Sequence, residues 1–215
     1  MTLYQELRAA GKALHQKAMD VTKNLDFNPK RVAKRMTLPT AGHTLLFGGE
    51  AEQNAFIDFW YHEYRVNGKS LVESVDPVAD GLTPLEAEIL EAHRHAQTSL
   101  YQPERASPGE HQVRVRDLLD PTRASIDITD INWSESMAGL RTALVVFCRL
   151  LTVRGITMTS GFFFTFDAKR LPGLLQAYRQ KTKRTPPENL SEQRFAFFYQ
   201  KHRQFGEEQE FRDVV

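Results

Sequence analysis

The spacing of apolar residues changes twice along the 215-residue chain, and this change constrains the fold more than any single motif does. Helical segments before residue 98 and after 171 carry apolar side chains every three or four residues, whereas apolar and polar residues alternate at 113–116 and 126–129. The first spacing is typical of amphipathic helices, and the second is typical of half-buried strands. We therefore predict an α+β protein in which helices flank one run of strands.

Three helical segments are predicted before residue 80. An apolar stripe covers 3–24, and Pro29 suits the first position of a short basic helix. Aromatic residues share one face of 51–66, which favours a helix that ends at Asn67-Gly68. The same Asn-Gly pair is also typical of a two-residue hairpin turn, and the helix is the preferred interpretation.

Later helices have clearer starting signals. Thr83 suits an N-cap and Glu86 completes a capping box, so a helix is predicted over about 83–98. After the strands, one helix is predicted from Leu171, and Ser191 is expected to cap the last one.

The strands are expected to form a small barrel. The β-prone runs lie at 113–115, 126–128, 143–153, 156–159 and 162–166. Short strands joined by tight turns are typical of an antiparallel meander that closes into a barrel of the SH3 or OB kind. Gly161 is expected at a bulge or corner. The predicted parts are a mainly helical 1–99, a small β-barrel at 100–168, and C-terminal helices at 169–215 packed on the rest.

Composition excludes several classes of protein. No apolar run approaches the roughly 20 residues that a transmembrane helix needs, so no membrane partner is expected. A single cysteine excludes a disulfide framework and a cysteine-based zinc cage. No secretory signal or lipidation motif is present, and together with the cysteine count this predicts a cytoplasmic protein.

Signatures of catalysis are missing from the sequence. No nucleophile motif and no phosphate-binding glycine motif occurs, and Cys148 lies in an apolar β-prone run where an inert core thiol is expected. His93 and His95 are two positions apart on a predicted helix, so their side chains diverge and are not expected to share an ion. We predict neither a cofactor nor a metal site, and the absence of motifs favours a non-enzymatic protein.

Charge is distributed unevenly, although the whole chain carries only +1. Residues 1–41 carry +5 and residues 42–100 carry −7. One interpretation is that these segments pack against each other or are solvated faces. The other is that the basic arm binds RNA or DNA, which attracts lysine and arginine through its phosphates. The candidate nucleic-acid-binding residues are Lys30, Arg31, Lys34, Arg35, Lys181, Lys183 and Arg184.

Aromatic residues suggest two further interpretations. The run from Gly161 to Phe166 is similar to the aromatic strand of RNA-recognition domains, where bases stack on exposed rings, but a buried barrel strand is the alternative. Aromatic helix faces are also typical of protein interfaces. The candidate residues for a protein partner are Trp60, Tyr64, Phe195 and Phe198.

A family resemblance covers residues 56–166. The chain resembles uncharacterised bacterial proteins that carry, or are associated with, SEC-C zinc motifs. The resembling stretches are Phe56–Tyr61, Asn67–Leu71, Leu85–Leu90, Ser99–Tyr101, Val115–Leu119 and Met158–Gly161. The resemblance implies a helical part followed by a small β-barrel. It implies no metal site, because the zinc motif needs several cysteines.

The function expected from the sequence is that of a non-enzymatic binding or adaptor protein that contacts RNA through its basic N-terminal arm. The alternative is a protein–protein interaction module that uses aromatic helix faces, and a third is an enzyme of unknown chemistry.

Overall fold

The computed structural model describes residues 2–24, 28–137 and 144–207, and within them helices and strands are mixed as an α+β fold. The helices are α1 (Leu3–Val21), α2 (Pro29–Met36), α3 (Glu50–His62), α4 (Leu71–Ser74), α5 (Pro84–His95), α6 (Ile131–Met137), α7 (Leu171–Thr182) and α8 (Leu190–Phe205). The strands are β1 (Thr40–Ala41), β2 (Thr44–Leu45), β3 (Gln97–Ser107), β4 (Gln112–Asp117), β5 (Ile126–Thr129), β6 (Leu144–Val153), β7 (Ile156–Thr159) and β8 (Phe164–Asp167).

The chain divides into two compact units. The first comprises Met1–Ala96 with Leu151–Gly155, and the second comprises Gln97–Leu150 with Ile156–Val215. Helices α1 to α5 belong to the first unit. The strands from β3 onward, except for the tip of the β6–β7 hairpin, belong to the second unit together with α6, α7 and α8.

Helix starts in the first unit follow from local capping. Thr2 and Gln5 form a capping box at the start of α1, and Thr83 and Glu86 form another at the start of α5. Asn28 caps α2 by accepting hydrogen bonds from two backbone N–H groups, and the left-handed Thr37 ends that helix. The predicted starts of α2 and α5 are therefore confirmed.

The preferred interpretation of Asn67-Gly68 is wrong. Helix α3 ends at His62, before the Asn-Gly pair is reached. Asn67 and Gly68 have φ angles of 52° and 83°, and the backbones of Val66 and Lys69 bond to each other in both directions at 2.8 and 3.1 Å. The pair therefore forms the two-residue hairpin turn that was the alternative, because this turn needs positive φ at both central positions.

Strand β3, the longest of the described strands, is not predicted from the sequence. The predicted helix over 83–98 ends at His95, and β3 begins at Gln97 and continues through Pro103. Proline has no N–H to donate to a neighbouring strand, which argues against a central strand. The sheet accommodates Pro103 because the pairing of β3 with β4 shifts register between Pro103 and Arg105. Helix α6, which follows β5, is also not predicted.

The sheet is a curled half-barrel, and the predicted closed barrel of the SH3 or OB kind is wrong. Its strand order is β5-β4-β3-β6-β7, with β8 also pairing with β6. The edge strands β5 and β7 approach to within 8 Å between Cα atoms, yet no ladder joins them in the described residues. One hydrophobic core cluster of this unit is formed by Tyr101, Val113, Val115, Ile128, Trp133, Met137, Val146 and Cys148.

Helix α8 covers another apolar part of the second unit. Phe147 on β6 stacks on Phe198 of α8 with ring centroids 4.4 Å apart, and Phe164 lies 6.1 Å from Phe195. These four rings are fully buried. The helix begins at Leu190 after Asn189, one residue before the predicted Ser191 cap. Gly161 has φ 115° between β7 and β8, so the predicted corner is confirmed.

Candidate nucleic-acid interface

Helix α2 separates its apolar and basic residues onto different faces. Val32, Ala33 and Met36 are fully buried, which fixes the helix in the first unit. The predicted basic residues on this helix are all exposed to solvent, and they are Lys30, Arg31, Lys34 and Arg35. Helix periodicity explains the separation, because the buried residues recur at spacings of one, three and four. The structure therefore brings this predicted group together on one surface.

No carboxylate interrupts the sequence around α2. Residues 28–49 contain four lysines or arginines and no aspartate or glutamate. His43, at the β1–β2 turn, lies with its Nδ1 2.8 Å from Lys30 Nζ. A lysine ammonium only donates, so this imidazole nitrogen is the acceptor. We name the exposed side chains of Lys30, Arg31, Lys34, Arg35 and His43 the α2 surface.

The C-terminal basic candidates lie in the second unit. Lys181 is on the last turn of α7, and Lys183 and Arg184 follow the helix directly; all three are exposed. They form no ion pair within the residues that the structure describes. The surrounding segment 168–187 carries six lysines or arginines and no carboxylate.

Three of the four aromatic candidates for a protein partner are not accessible. Trp60 is 4% exposed, and Phe195 and Phe198 are fully buried, because their helices use these rings for the core. Tyr64 is half-buried. The predicted interaction surface is therefore wrong for Trp60, Phe195 and Phe198.

The aromatic run that resembles an RNA-recognition strand is also largely buried. Phe162 is 2% exposed, and Phe164 and Phe166 are fully buried, since α8 packs on them. Phe163 is half-buried and lies 5.2 Å from the ring of Trp133. These rings offer no stacking platform for bases, so the buried-strand alternative is the correct one.

The sequence does not predict a contact between the buried His62 and the half-buried His93. His62 Nε2 of α3 lies 3.2 Å from His93 Nδ1 of α5, and Asp58 Oδ2 lies 3.9 Å from the same His62 nitrogen. Tyr61 packs edge-on against both imidazoles, and burial raises the pKa of its hydroxyl above the usual value. The i, i+4 spacing of Asp58 and His62 was the available signal, but nothing in the sequence pairs α3 with α5.

A second polar cluster surrounds Asp117, the last residue of β4. Asp117, 3% exposed, accepts hydrogen bonds from Ser99 Oγ at 2.5 Å and from the backbone N–H groups of Leu119 and Asp120. The carboxylate therefore holds the turn after β4, which is a structural role. Cys148 is fully buried nearby, as predicted for a core thiol.

Within the described ranges, no group of three or more histidine, cysteine, aspartate or glutamate residues is arranged to hold a metal ion. In the same part of the chain, no helix has the length and apolar character needed to cross a membrane.

Comparison with known proteins identifies a family without a known activity. A family model described as "Family of unknown function (DUF7986)" matches residues 1–212, so the chain belongs to that family. No curated protein and no solved structure matches the chain. The resemblance to SEC-C-associated proteins is not tested by this match and stays a prediction.

Proposed function

We propose that this member of the DUF7986 family is a non-enzymatic protein that binds RNA through the α2 surface. The observation that carries the proposal is the separation of faces on α2. The apolar face is buried, and the opposite face presents four cationic side chains in a stretch of 22 residues, 28–49, without one carboxylate. Because these cations lie on a folded helix, they attract phosphates without a further ordering of the protein backbone.

The chemistry of the α2 surface favours phosphates over bases as the groups contacted. Lysine and arginine contact phosphate oxygens, and His43 is the one exposed aromatic ring in 28–49, because Phe47 packs against Phe56 with ring centroids 5.6 Å apart. Binding through this surface is therefore expected to depend weakly on base sequence and strongly on salt.

Charge reversal on α2 tests the proposal. The variant Lys30→Glu/Lys34→Glu replaces two exposed side chains, so the fold is expected to be retained. Its affinity for a fluorescein-labelled RNA, measured by fluorescence anisotropy at about 50 mM salt, is expected to fall at least tenfold, because two attractive contacts become repulsive.

The matched control is Lys12→Glu/Lys69→Glu, which makes the same change in net charge at two exposed lysines of the same unit. The proposal requires the control to bind much more tightly than the α2 variant. Equal losses in the two variants would show that only total charge matters, and unchanged binding by the α2 variant would exclude the α2 surface.

A further inference from the structure

We propose that α7 and the adjoining end of α8 form a second RNA contact, one that prefers single strands. This contact shares with the proposed function the premise that the protein binds RNA, but it uses different residues in the other unit. The residues are Lys169, Arg170, Arg179, Lys181, Lys183, Arg184 and the ring of Phe205, and we name them the α7 strip.

The α7 strip carries an uninterrupted run of positive charge in the sequence. All six cations of 168–187 are exposed, and no aspartate or glutamate lies in that segment. They occur at both ends of a 12-residue helix, which is about 18 Å long. A charge of one sign spread over this length fits a polymer with regularly repeating phosphates, whereas a single small anion would use only one end.

A partly accessible aromatic ring lies beside the cations. Phe205 is half-buried at the end of α8. The guanidinium of Arg170 lies 4.8 Å from the centre of this ring, and Lys201 Nζ lies 5.7 Å from it. A guanidinium plane over an aromatic ring offers a flat surface on which an unpaired base stacks, and proteins that bind single strands combine such surfaces with basic tracks.

Helix α7 presents no large apolar side chain to solvent. Leu174 and Tyr178 of this helix are buried, and Leu171 and Leu175 are half-buried. The exposed large apolar side chains of the described residues are Leu3, Leu46 and Val78, none of which belongs to the α7 strip. An interfacial helix needs apolar side chains to insert among lipids, so anionic lipid is a poorer partner than RNA.

Neutralisation of two residues of the α7 strip tests whether their charges contribute to RNA affinity. The variant Arg179→Gln/Lys183→Gln and the control Arg105→Gln/Lys12→Gln each lose one arginine and one lysine, all exposed. Affinity for a labelled oligouridine is measured on the full chain from about 50 to about 200 mM salt. In the strip variant, the slope of log affinity against log salt is expected to become shallower by about 1.4, because each single-strand phosphate contact contributes about 0.7. The control is expected to keep the wild-type slope.

Removal of the ring tests the preference for single strands. Phe205→Leu retains an apolar side chain for packing but removes the aromatic face. Its affinity for oligouridine is expected to fall at least about fivefold with an unchanged salt slope, because stacking contributes energy without releasing counterions. Its affinity for an RNA duplex of the same length is expected to stay as in the wild type.

Footprinting of the unmodified protein covers the case in which a variant fails to fold. Bound oligouridine is expected to protect Lys169, Lys181 and Lys183 from acetylation, and to leave Lys12 reactive. Reactivity of the three strip lysines that is unchanged by saturating RNA would overturn the inference.

The two variants distinguish a failure of the α7 strip from a failure of the α2 surface. Loss of binding in the α2 variant, with the strip variant unchanged, would overturn the α7 strip and leave the α2 surface in place. The reverse result would exclude the α2 surface and support the strip. Duplex RNA that binds as tightly as oligouridine would overturn the assignment of single-stranded RNA. So would polyglutamate that displaces labelled oligouridine as potently as unlabelled oligouridine does.

Discussion

At the scale of single residues, the buried carboxylate of Glu86 is held by two hydrogen-bond donors at once. Glu86 is 4% exposed, and its Oε2 accepts hydrogen bonds from Lys17 Nζ at 2.7 Å and from the backbone N–H of Thr83 at 2.6 Å. The hydrogen bond from Lys17 is the main reason that the pKa of Glu86 lies below its ordinary value of 4.5. One carboxylate thereby joins α1 to the start of α5.

This arrangement predicts how stability depends on pH. A carboxyl whose pKa is lowered by folding stabilises the protein above its ordinary pKa, and this stabilisation is lost as the pH falls through the lowered value. The variant Glu86→Gln is therefore expected to lower the free energy of unfolding by about 1–3 kcal/mol at neutral pH. The difference from wild type is expected to shrink below about pH 4.5, measured by urea unfolding across the pH range.

The control for this prediction is Glu88→Gln. Glu88 bonds to Arg154 at 2.7 Å but is exposed, so water screens the pair and a smaller effect is expected. A Glu86→Gln variant that is as stable as wild type at neutral pH would contradict the role assigned to the buried carboxylate.

At the scale of elements, turns with positive φ decide where helices and strands end. Gly68 has φ 83° in the Asn-Gly turn, whereas Gly11 lies inside α1, and a Cβ added at either glycine meets nothing within 4 Å. The two positions thus differ in backbone conformation and not in available space.

Alanine at the two glycines is expected to have opposite effects on stability. Gly68→Ala is expected to lower the free energy of unfolding by about 1–2 kcal/mol, because an L-residue is strained in the left-handed region. Gly11→Ala is expected to raise it by about 0.5–1 kcal/mol, because alanine favours the helix. Thermal unfolding of both variants checks the prediction, and two changes of the same sign would refute the conformational explanation.

Elements with a local signal could be predicted from the sequence, and those that depend on distant partners could not. The helices that begin at Pro29 and Pro84 follow from caps a few residues long. Strand β3 could not be predicted in the same way, because its register shift beside Pro103 depends on pairing with β4. The Asn67-Gly68 pair suits both a helix end and a hairpin, and only the bonded pair of Val66 and Lys69 distinguishes them.

In the candidate site, too, features with a local sequence signal could be predicted and features that depend on distant contacts could not. Exposure of the α2 cations could be inferred from periodicity, because Val32, Ala33 and Met36 recur on one side of the helix. Composition alone does not separate rings that fill the core from rings that face solvent, so the sequence predicts an interface at Phe195 and Phe198 although both are buried. The contact of His62 with His93 joins two helices far apart in sequence and left no local signal.

At the scale of the whole molecule, near-neutral charge conceals two cationic surfaces. The chain carries +1, yet 28–49 and 168–187 hold ten lysines or arginines and no carboxylate. The first segment belongs to one compact unit and the second to the other. Two such contacts on one chain are expected to bind a single RNA more tightly than either contact alone, provided that the RNA reaches both.

Purification of the protein from its native cell at low salt, with and without nuclease treatment, tests most directly whether it binds RNA. RNA is expected to copurify, to be removed by nuclease, and to dissociate as salt is raised, because counterion release drives the binding. Purification without nucleic acid, or with nucleic acid that is retained at high salt, would exclude RNA binding through these cationic surfaces. A protein partner that remains after nuclease treatment, in the absence of RNA, would instead point to an adaptor role.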